Sequence, residues 1–243
     1  LFENSVNAVL PLKDRVWAGT NQGISVLNTK DQTFRHYQIL EEGKINAPPS
    51  RRHDQFVAVL YQDKKGKIWI GSRVKGVFCY DEVTDNFRHF DFSREQYPQL
   101  VPAVASDHSV ICFEESEKND SIIWAGTPAG LQEINKYTGK EKLITFPQKS
   151  KDYQVALNAF RRLHHHDDGL LYVSSWAAGV NVYDPETGTF TPLKVKSSEG
   201  LEILRSTIGN LFRKSDHEIW ITTGAGLAVY DTDLQDITWT RFN

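Results

Sequence analysis

The sequence of 243 residues contains no methionine and only two cysteines, Cys79 and Cys112. Two cysteines are too few for a disulfide scaffold, and their spacing is not that of a zinc or redox motif. We expect both to be buried free thiols, with a single bridge as the alternative in an extracytoplasmic domain. Because the sequence starts at Leu1 without an initiator methionine, we expect the natural protein to begin upstream of it.

Long apolar runs and an excess of one charge are also missing. No window approaches the roughly eighteen consecutive apolar residues of a membrane-spanning helix. The 28 basic residues nearly cancel the 31 acidic ones, and the net charge of −3 excludes a histone-like nucleic-acid binder. An apolar content of 40% excludes a disordered chain. We therefore expect a globular segment with a sizeable core and no contact with nucleic acid or membrane.

Five copies of one pattern organise the chain. Each copy has an aromatic residue flanked by apolar residues, followed six or seven positions later by a glycine. The aromatics are spaced 52, 55, 48 and 48 residues apart, a regularity that chance does not produce. The aromatics are Trp17, Trp69, Trp124, Tyr172 and Trp220, and the glycines are Gly23, Gly76, Gly130, Gly179 and Gly226.

Each repeat resolves into four short runs with the alternation and the β-branched and aromatic enrichment of strands. The second repeat shows them at 55–62, 67–72, 77–81 and 86–90. Four antiparallel strands in about fifty residues are typical of a β-propeller blade. We predict an all-β propeller with almost no helix, in which the aromatics lie between blades and the glycines in tight turns. The predicted repeats span about 4–37, 55–90, 109–146, 158–193 and 206–242.

The repeat resembles the two-component regulator propeller repeat. The residues that carry the resemblance are Trp69-Ile70-Gly71-Ser72 with Gly76-Val77-Phe78-Cys79-Tyr80-Asp81, Trp17-Ala18-Gly19-Thr20, Trp124-Ala125-Gly126-Thr127, and Gly179-Val180-Asn181-Val182-Tyr183-Asp184. The fourth copy departs from the pattern, with Tyr172 for tryptophan and Ser174-Ser175 for Gly-Thr.

The resemblance implies the periplasmic sensor region of a hybrid two-component system, as in Bacteroidetes. In such sensors a propeller is followed by further domains, a membrane helix and a histidine kinase, and the usual signals are glycan fragments. The expected partners are thus an oligosaccharide and other domains of the same sensor. The resemblance also implies that the five repeats are part of a larger, seven-bladed propeller, with a self-contained five-bladed ring as the alternative.

Topology indicates where a ligand would bind. Loops from strand two to strand three lie at the same end as the blade-to-blade loops, which here are long and variable, at about 38–54, 91–108, 147–157 and 194–205. Trp176 lies there, where the other copies have Gln22, Val74, Ala129 and Ala225. We expect Trp176 to stack on a sugar ring and cationic residues to bind carboxylate or sulfate groups. The predicted ligand-binding cations are Arg51, Arg52, Arg73 and Lys75, and His53, Tyr153, Arg161 and Arg205 lie on the same face.

A structural interpretation of these residues stays open. Trp176 can instead pack under a neighbouring loop or against another domain, and the charged residues can be ordinary surface residues.

The run His164-His165-His166-Asp167-Asp168 falls at the predicted turn between the first two strands of its repeat. This position favours a solvated hairpin, so we expect replacement of His165 to cost little. The alternative is a metal site, because His164, His166 and Asp168 would share one face of a strand. The carboxylate pairs Glu114-Glu115 and Asp167-Asp168 are likewise expected in solvated turns.

No hydrolase elbow, metalloprotease helix or phosphate-binding loop is present in the sequence. We therefore predict a non-catalytic binding propeller without cofactor or metal. Two alternatives stay open, a propeller-fold lyase or glycosidase and an interaction scaffold that binds another protein or a second copy of itself as a homodimer.

Overall fold

The computed structural model describes residues 4–39, 55–90, 109–145, 160–175, 179–205 and 207–240. The chain divides into two compact units, residues 1–113 and 114–243. The described ranges contain twenty strands in five four-stranded antiparallel sheets and one helix. This confirms the predicted β-propeller architecture of four-stranded blades.

In the first unit, each sheet is a simple meander in which sequential strands pair. The strands of sheet 1 are β1 (Val6–Pro11), β2 (Arg15–Thr20), β3 (Gly23–Asn28) and β4 (Phe34–Tyr37). Those of sheet 2 are β5 (Val57–Gln62), β6 (Ile68–Ser72), β7 (Val77–Asp81) and β8 (Asn86–Phe90).

The other three sheets repeat this meander. Sheet 3 comprises β9 (Cys112–Glu115), which begins just before the unit boundary, β10 (Ile122–Thr127), β11 (Gly130–Asn135) and β12 (Glu141–Ile144). Sheet 4 comprises β13 (Phe160–His165), β14 (Leu171–Ser175), β15 (Gly179–Asp184) and β16 (Thr189–Pro192). Sheet 5 comprises β17 (Ile208–Arg213), β18 (Glu218–Thr223), β19 (Gly226–Asp231) and β20 (Asp236–Trp239).

The repeated glycine opens the third strand of every sheet in a backbone conformation that other residues avoid. Gly23 has φ of 124°, and a Cβ there would lie 2.3 Å from the carbonyl oxygen of Tyr37. The threonine three residues earlier closes the turn, because the Thr20 hydroxyl donates to the Gly23 carbonyl at 3.0 Å. The predicted role of the glycine is confirmed, with positive φ at all five positions.

Four of the five repeat aromatics are buried against a ring of the following sheet. The centroid distances are 5.0 Å for Trp17 and Tyr80, 6.5 Å for Trp69 and Phe113, 5.2 Å for Trp124 and His165, and 6.0 Å for Tyr172 and Tyr230. A four-stranded sheet therefore buries its apolar face only against its neighbour, as the repeat predicted.

Trp220 is the exception in burial, although it lies in the second strand of its sheet as predicted. Its place in β18 is equivalent to theirs, yet it is 38% exposed. The reason is that the described part of the chain contains no sheet after sheet 5 to cover it.

Both cysteines are buried free thiols, as expected. Burial raises the pKa of the Cys79 thiol to about 11, so it stays protonated at neutral pH. No helix in the described ranges is long and apolar enough to cross a membrane.

The stretch predicted as a loop at 194–205 contains the one described helix, α1 (Ser198–Arg205). The Ser197 hydroxyl caps its N-terminus by accepting a hydrogen bond from the Gly200 amide at 3.0 Å. Ile203 anchors the helix in the core of sheets 4 and 5. The signal was in the sequence, because serine followed by an acidic residue and then apolar residues is a helix start.

Candidate ligand-binding face

Arg73 and Lys75 lie in the turn between β6 and β7, at the end of sheet 2 where the loops were predicted to bind ligand. The Ser72 hydroxyl fixes this turn by accepting hydrogen bonds from the Val74 and Lys75 amides at 3.2 and 3.1 Å. The Arg73 side chain is exposed, and its guanidinium carbon lies 5.2 Å from the centroid of the Phe56 ring. Lys75 is half-buried, and its carbonyl oxygen lies 2.6 Å from Nε2 of His89.

Stacking on Phe56 holds the planar guanidinium against an apolar surface while its donors stay accessible to solvent. An arginine held in this way loses less conformational entropy when it binds a carboxylate or sulfate. Arg73 is thus preorganised to bind an anion.

Gln55, directly before Phe56, was not among the predicted site residues. It forms a parallel bridge with Gln22, the sheet 1 counterpart of Trp176. Gln55 is buried, and its Oε1 has no hydrogen-bond partner within the described part of the chain. A buried amide oxygen without a partner is costly, so it is suited to accept a hydrogen bond from a ligand hydroxyl.

Most of the predicted site lies outside the described residues. This applies to Trp176, Arg51, Arg52, His53 and Tyr153 and to the side chain of Arg205. Arg161 is half-buried on β13 in the second unit. Of the predicted site, the structure therefore places Arg73 and Lys75 together in one turn.

The three consecutive histidines are buried, and the prediction of a solvated hairpin is wrong for them. His164 and His165 are the last residues of β13, His166 follows, and only Asp167 and Asp168 are exposed in the turn. The end of β13 is held by a carboxylate and by a backbone amide of the segment that follows β9. The His165 amide donates to Oε1 of Glu114 at 2.8 Å, and the Glu117 amide donates to Nδ1 of His165 at 3.0 Å.

Burial sets the charge of His164 and His165. Burial lowers the pKa of His164 to about 4 together with the smaller effects of His166, His165 and Arg213, which Asp168 opposes. Burial also lowers the pKa of His165. His166 donates from Nε2 to the Asp216 carbonyl oxygen at 2.7 Å, which fixes its tautomer. His164 and His165 are therefore neutral at pH 7, and the contact of His166 with Asp216 joins sheets 4 and 5.

The metal-site alternative has no support in the described ranges, where no three histidine, cysteine or carboxylate side chains are placed to hold a metal ion. Asp168 instead accepts a hydrogen bond from the Tyr172 hydroxyl at 2.9 Å. Burial, followed by this carboxylate, raises the pKa of Tyr172.

Glu115 is not in a solvated turn, contrary to the prediction for Glu114-Glu115. It ends β9, is almost fully buried, and forms an ion pair with the equally buried Lys136. Glu114 is half-buried beside β13. The lysine follows β11, so the ion pair ties the first strand of sheet 3 to the turn between its third and fourth strands.

One Ser–His pair lies within hydrogen-bonding distance in sheet 1. The Ser25 hydroxyl lies 2.9 Å from Nδ1 of His36, but Ser25 is fully buried within sheet 1. A buried hydroxyl cannot reach a substrate, so this pair is structural.

Architecture and repeat define the class of the protein as a β-propeller of four-stranded blades. The sequence profile of the family described as two component regulator propeller matches residues 52–73. This stretch contains the Trp69 motif, and the resemblance drawn from the sequence is confirmed there. A search of curated proteins by sequence finds no significant match.

Solved structures share the fold. The chain aligns over 98% of its length with 30% of the extracellular domain of a protein assigned as a hybrid two component system of B. thetaiotaomicron, at a TM-score of 0.70 and 19% identity. A second such domain from that organism aligns over 93% of the chain and 27% of its own length, with a TM-score of 0.66 and 18% identity. The chain thus spans less than a third of these domains.

Virginiamycin B lyase from Staphylococcus aureus is also similar in fold. The alignment covers 96% of this chain and 69% of the lyase chain, with a TM-score of 0.66 and 14% identity. At these identities the comparisons establish the propeller fold.

Proposed function

We propose that this chain is part of the periplasmic sensor propeller of a hybrid two-component system and binds an acidic glycan fragment without catalysis. The binding surface is the end of the blades that carries the turns from second to third strand. Ligand binding there alters the arrangement of neighbouring domains and thereby the activity of a histidine kinase elsewhere in the protein.

The observation that carries the proposal is the exposed Arg73 guanidinium held on the Phe56 ring. Gln55, the residue before Phe56, adds a buried amide oxygen without a hydrogen-bond partner in the described part of the chain. These groups match an acidic sugar, which presents a carboxylate or sulfate together with hydroxyl donors. The fold likeness to extracellular domains of two-component systems supports the sensor role. A chain of net charge −3 attracts anions only through a local cationic surface such as this turn.

The test is calorimetric titration of the chain with uronic, sulfated and neutral oligosaccharides. An acidic oligosaccharide should bind. Arg73→Ala should raise its dissociation constant by roughly 10- to 100-fold, because the variant loses a charge-assisted hydrogen bond to the ligand. Trp176→Ala should weaken binding of acidic and neutral sugars alike, because stacking does not depend on charge. Higher salt should reduce only the binding of the acidic sugars.

Arg88→Ala is the matched control. Arg88 is also exposed and also lies over a phenylalanine, with 4.9 Å from its guanidinium carbon to the Phe90 ring, but it is on the outer strand β8. Its loss should leave affinity unchanged. Equal affinities for Arg73→Ala, Arg88→Ala and the parent would remove the turn from the binding site.

A propeller enzyme is the second candidate, favoured by the fold likeness to virginiamycin B lyase. Incubation with the same oligosaccharides followed by mass spectrometry separates the two functions. Release of shorter products would establish an enzyme, whereas binding without turnover supports the sensor.

A further inference from the structure

In the first unit, the residue that follows the register shift of each first strand is apolar. Ala8 pairs with Gly19 across β1 and β2, and Val59 pairs with Gly71 across β5 and β6. The packing there is close, because a Cβ at Gly19 would lie 2.4 Å from a side-chain carbon of Val57. An apolar residue opposite a glycine is therefore sufficient to build this part of a blade.

The equivalent positions of sheets 4 and 5 are polar. Arg162 pairs with Ser174 across β13 and β14. Asn210 lies opposite Thr222 across β17 and β18, where its backbone amide donates to the Thr222 hydroxyl at 2.6 Å. Because sheets 1 and 2 form with apolar residues at these positions, the blade fold does not account for Arg162 and Asn210.

The side chains of Arg162 and Asn210 contact each other between the first strands of sheets 4 and 5, and both are half-buried. Nε of Arg162 donates to Oδ1 of Asn210, and Nη1 donates to the carbonyl oxygen of Arg161 at 2.7 Å. Two hydrogen bonds from different nitrogens fix the plane of the guanidinium. Arg162 therefore loses little further conformational entropy when it binds a ligand.

The groups that remain on these two side chains are all donors. A guanidinium has five N–H donors, so three remain on Nη1 and Nη2 after the two bonds above. Because Oδ1 of Asn210 accepts from Arg162, the Nδ2 amino group of Asn210 adds two more donors.

The charge of Arg162 also lacks a counterion among the described residues. Arg162 forms no ion pair within the described ranges, whereas Arg213 of the same unit is paired with both Asp167 and Asp216. A half-buried cation without a counterion, next to an amide donor, favours the binding of an anion.

We infer that Arg162 and Asn210 form a binding site for a small oxyanion in the second unit. The ligand group is a carboxylate, sulfate or phosphate, because each presents oxygens that accept from a guanidinium and an amide together. The site is one residue pair away from the pair of Phe160 and Ser175, at the end of sheet 4 that carries the turn between β14 and β15. The inference rests on Arg162 and Asn210 alone and is independent of the glycan proposed above.

A titration followed through the Nε–Hε NMR signal of Arg162 tests the site. The signal is identified in the ¹⁵N-labelled 243-residue chain by its loss in Arg162→Lys. Sodium glucuronate, sodium sulfate and sodium phosphate are added separately at constant ionic strength, with sodium chloride as the reference. At least one oxyanion should shift the signal with saturation in the millimolar range, and the one that saturates first identifies the preferred group. A signal that no oxyanion shifts, or that chloride shifts equally, would overturn the inference.

Asn210→Asp gives a second readout without altering the shape of the side chain. The new carboxylate should pair with the Arg162 guanidinium, so the dissociation constant of the oxyanion should rise at least tenfold while the melting temperature does not fall. Arg88→Ala on the outer strand β8 is the control and should leave the dissociation constant unchanged. Equal affinity in Asn210→Asp and the parent would also overturn the inference. The readout needs no oligosaccharide, so its outcome is separate from that of the calorimetric test above.

Discussion

At the scale of single residues, position in the repeat does not by itself determine what a side chain contributes to stability. Trp69 and Trp220 are equivalent in sequence, yet Trp69 is fully buried and Trp220 is not. The difference in burial arises because the following sheet covers Trp69. The local sequence pattern does not encode this neighbouring sheet.

Trp69→Ala should therefore lower the free energy of unfolding by about 3–5 kcal/mol, the range for deleting a buried large aromatic. Trp220→Ala should cost about 1–2 kcal/mol in the 243-residue chain, because part of its surface is already in water. Urea denaturation followed by far-UV circular dichroism measures both without depending on tryptophan fluorescence. Equal costs for the two variants would show that burial does not set the contribution of these residues.

His165→Ala should cost about 2–4 kcal/mol, which reverses the expectation from sequence. The ring packs 5.2 Å from Trp124, and its loss leaves the Glu117 amide without an acceptor. His217→Ala is the control, because the His217 side chain is 65% exposed. A His165→Ala variant as stable as the His217→Ala variant would restore the solvated-hairpin interpretation.

Sequence reasoning succeeded for residues whose role is set by the repeat and failed for those whose role is set by a neighbouring element. The burial of Trp17 and the turn at Gly23 follow from local alternation and backbone sterics. The burial of His164 and Glu115 does not follow from the local pattern, because polar side chains are buried only where residues distant in sequence supply hydrogen-bond or charge partners. Gln55 was missed for the same reason, since its environment comes from Gln22 of another sheet.

At the scale of the strand and turn, the glycines that open β3 and β11 lie against the backbone of the fourth strand of their sheets. A Cβ at Gly23 would meet the backbone of Tyr37, whereas a Cβ at Gly188 meets nothing within 4 Å. Both glycines have positive φ, 124° and 69° respectively.

Gly23→Ala should cost roughly 3 kcal/mol or more, because backbone strain is added to a backbone clash. Gly188→Ala should cost about 1 kcal/mol, the penalty of the left-handed conformation alone. Thermal melts of the two variants measure the difference. A Gly188→Ala variant as destabilised as Gly23→Ala would mean that φ and not the close approach is decisive.

Within sheet 3, removing one partner of the buried ion pair should lower the free energy of unfolding strongly, whereas replacing both partners by apolar residues should lower it little. Lys136→Met leaves the Glu115 carboxylate buried without its partner and should cost about 3–5 kcal/mol. The double variant Lys136→Met/Glu115→Leu should recover most of that loss, because no charge is left buried. Urea denaturation of both variants tests this, and a double variant no more stable than Lys136→Met would show that the pair has a further role.

The strand order and the turns of each sheet could be predicted from the sequence, but the register of the first strand could not. The pairing shifts between Val6 and Ala8 and again between Val57 and Val59. Such a β-bulge adds a residue on one strand without altering the apolar pattern of the other, so alternation alone does not reveal it.

At the scale of the whole molecule, the five sheets could be predicted because each repeat carries its own signal. The candidate site was only partly predictable. Arg73 was identified as a cation in a loop from second to third strand, but its support by Phe56 depends on the fold. What the repeat does not encode is the ligand, because the loops vary independently of the blades.

Acid should destabilise the protein before its carboxylates are protonated, because of the buried histidines in the second unit. The folded state holds the pKa of His164 at about 4, well below the usual value of 6.5. Below about pH 6.5 the unfolded chain therefore binds a proton at this histidine that the folded chain does not bind. As a result, the free energy of unfolding decreases as the pH is lowered from 6.5 to about 4. Above pH 6.5 both states are neutral at this site and its contribution does not change. The groups around His164 are His165, His166 and Arg213, which also disfavour its protonation, and Asp168 and Glu114, which favour it.

The loss between pH 6.5 and pH 4 should amount to about 3 kcal/mol from His164, at 1.36 kcal/mol for each unit by which its pKa is lowered. The carboxylates of Asp216 and Asp236 contribute only at lower pH, because hydrogen bonds from Arg213 and Ser197 hold their pKa values below the usual 3.8. Urea denaturation at half-unit steps from pH 7.5 to pH 3.5 separates the two ranges. His164→Asn should be less stable than the parent at pH 7 and should show a shallower slope between pH 6.5 and pH 4, whereas the exposed control His217→Asn should retain the slope of the parent. An unchanged slope in His164→Asn would show that this histidine is solvated in the folded protein.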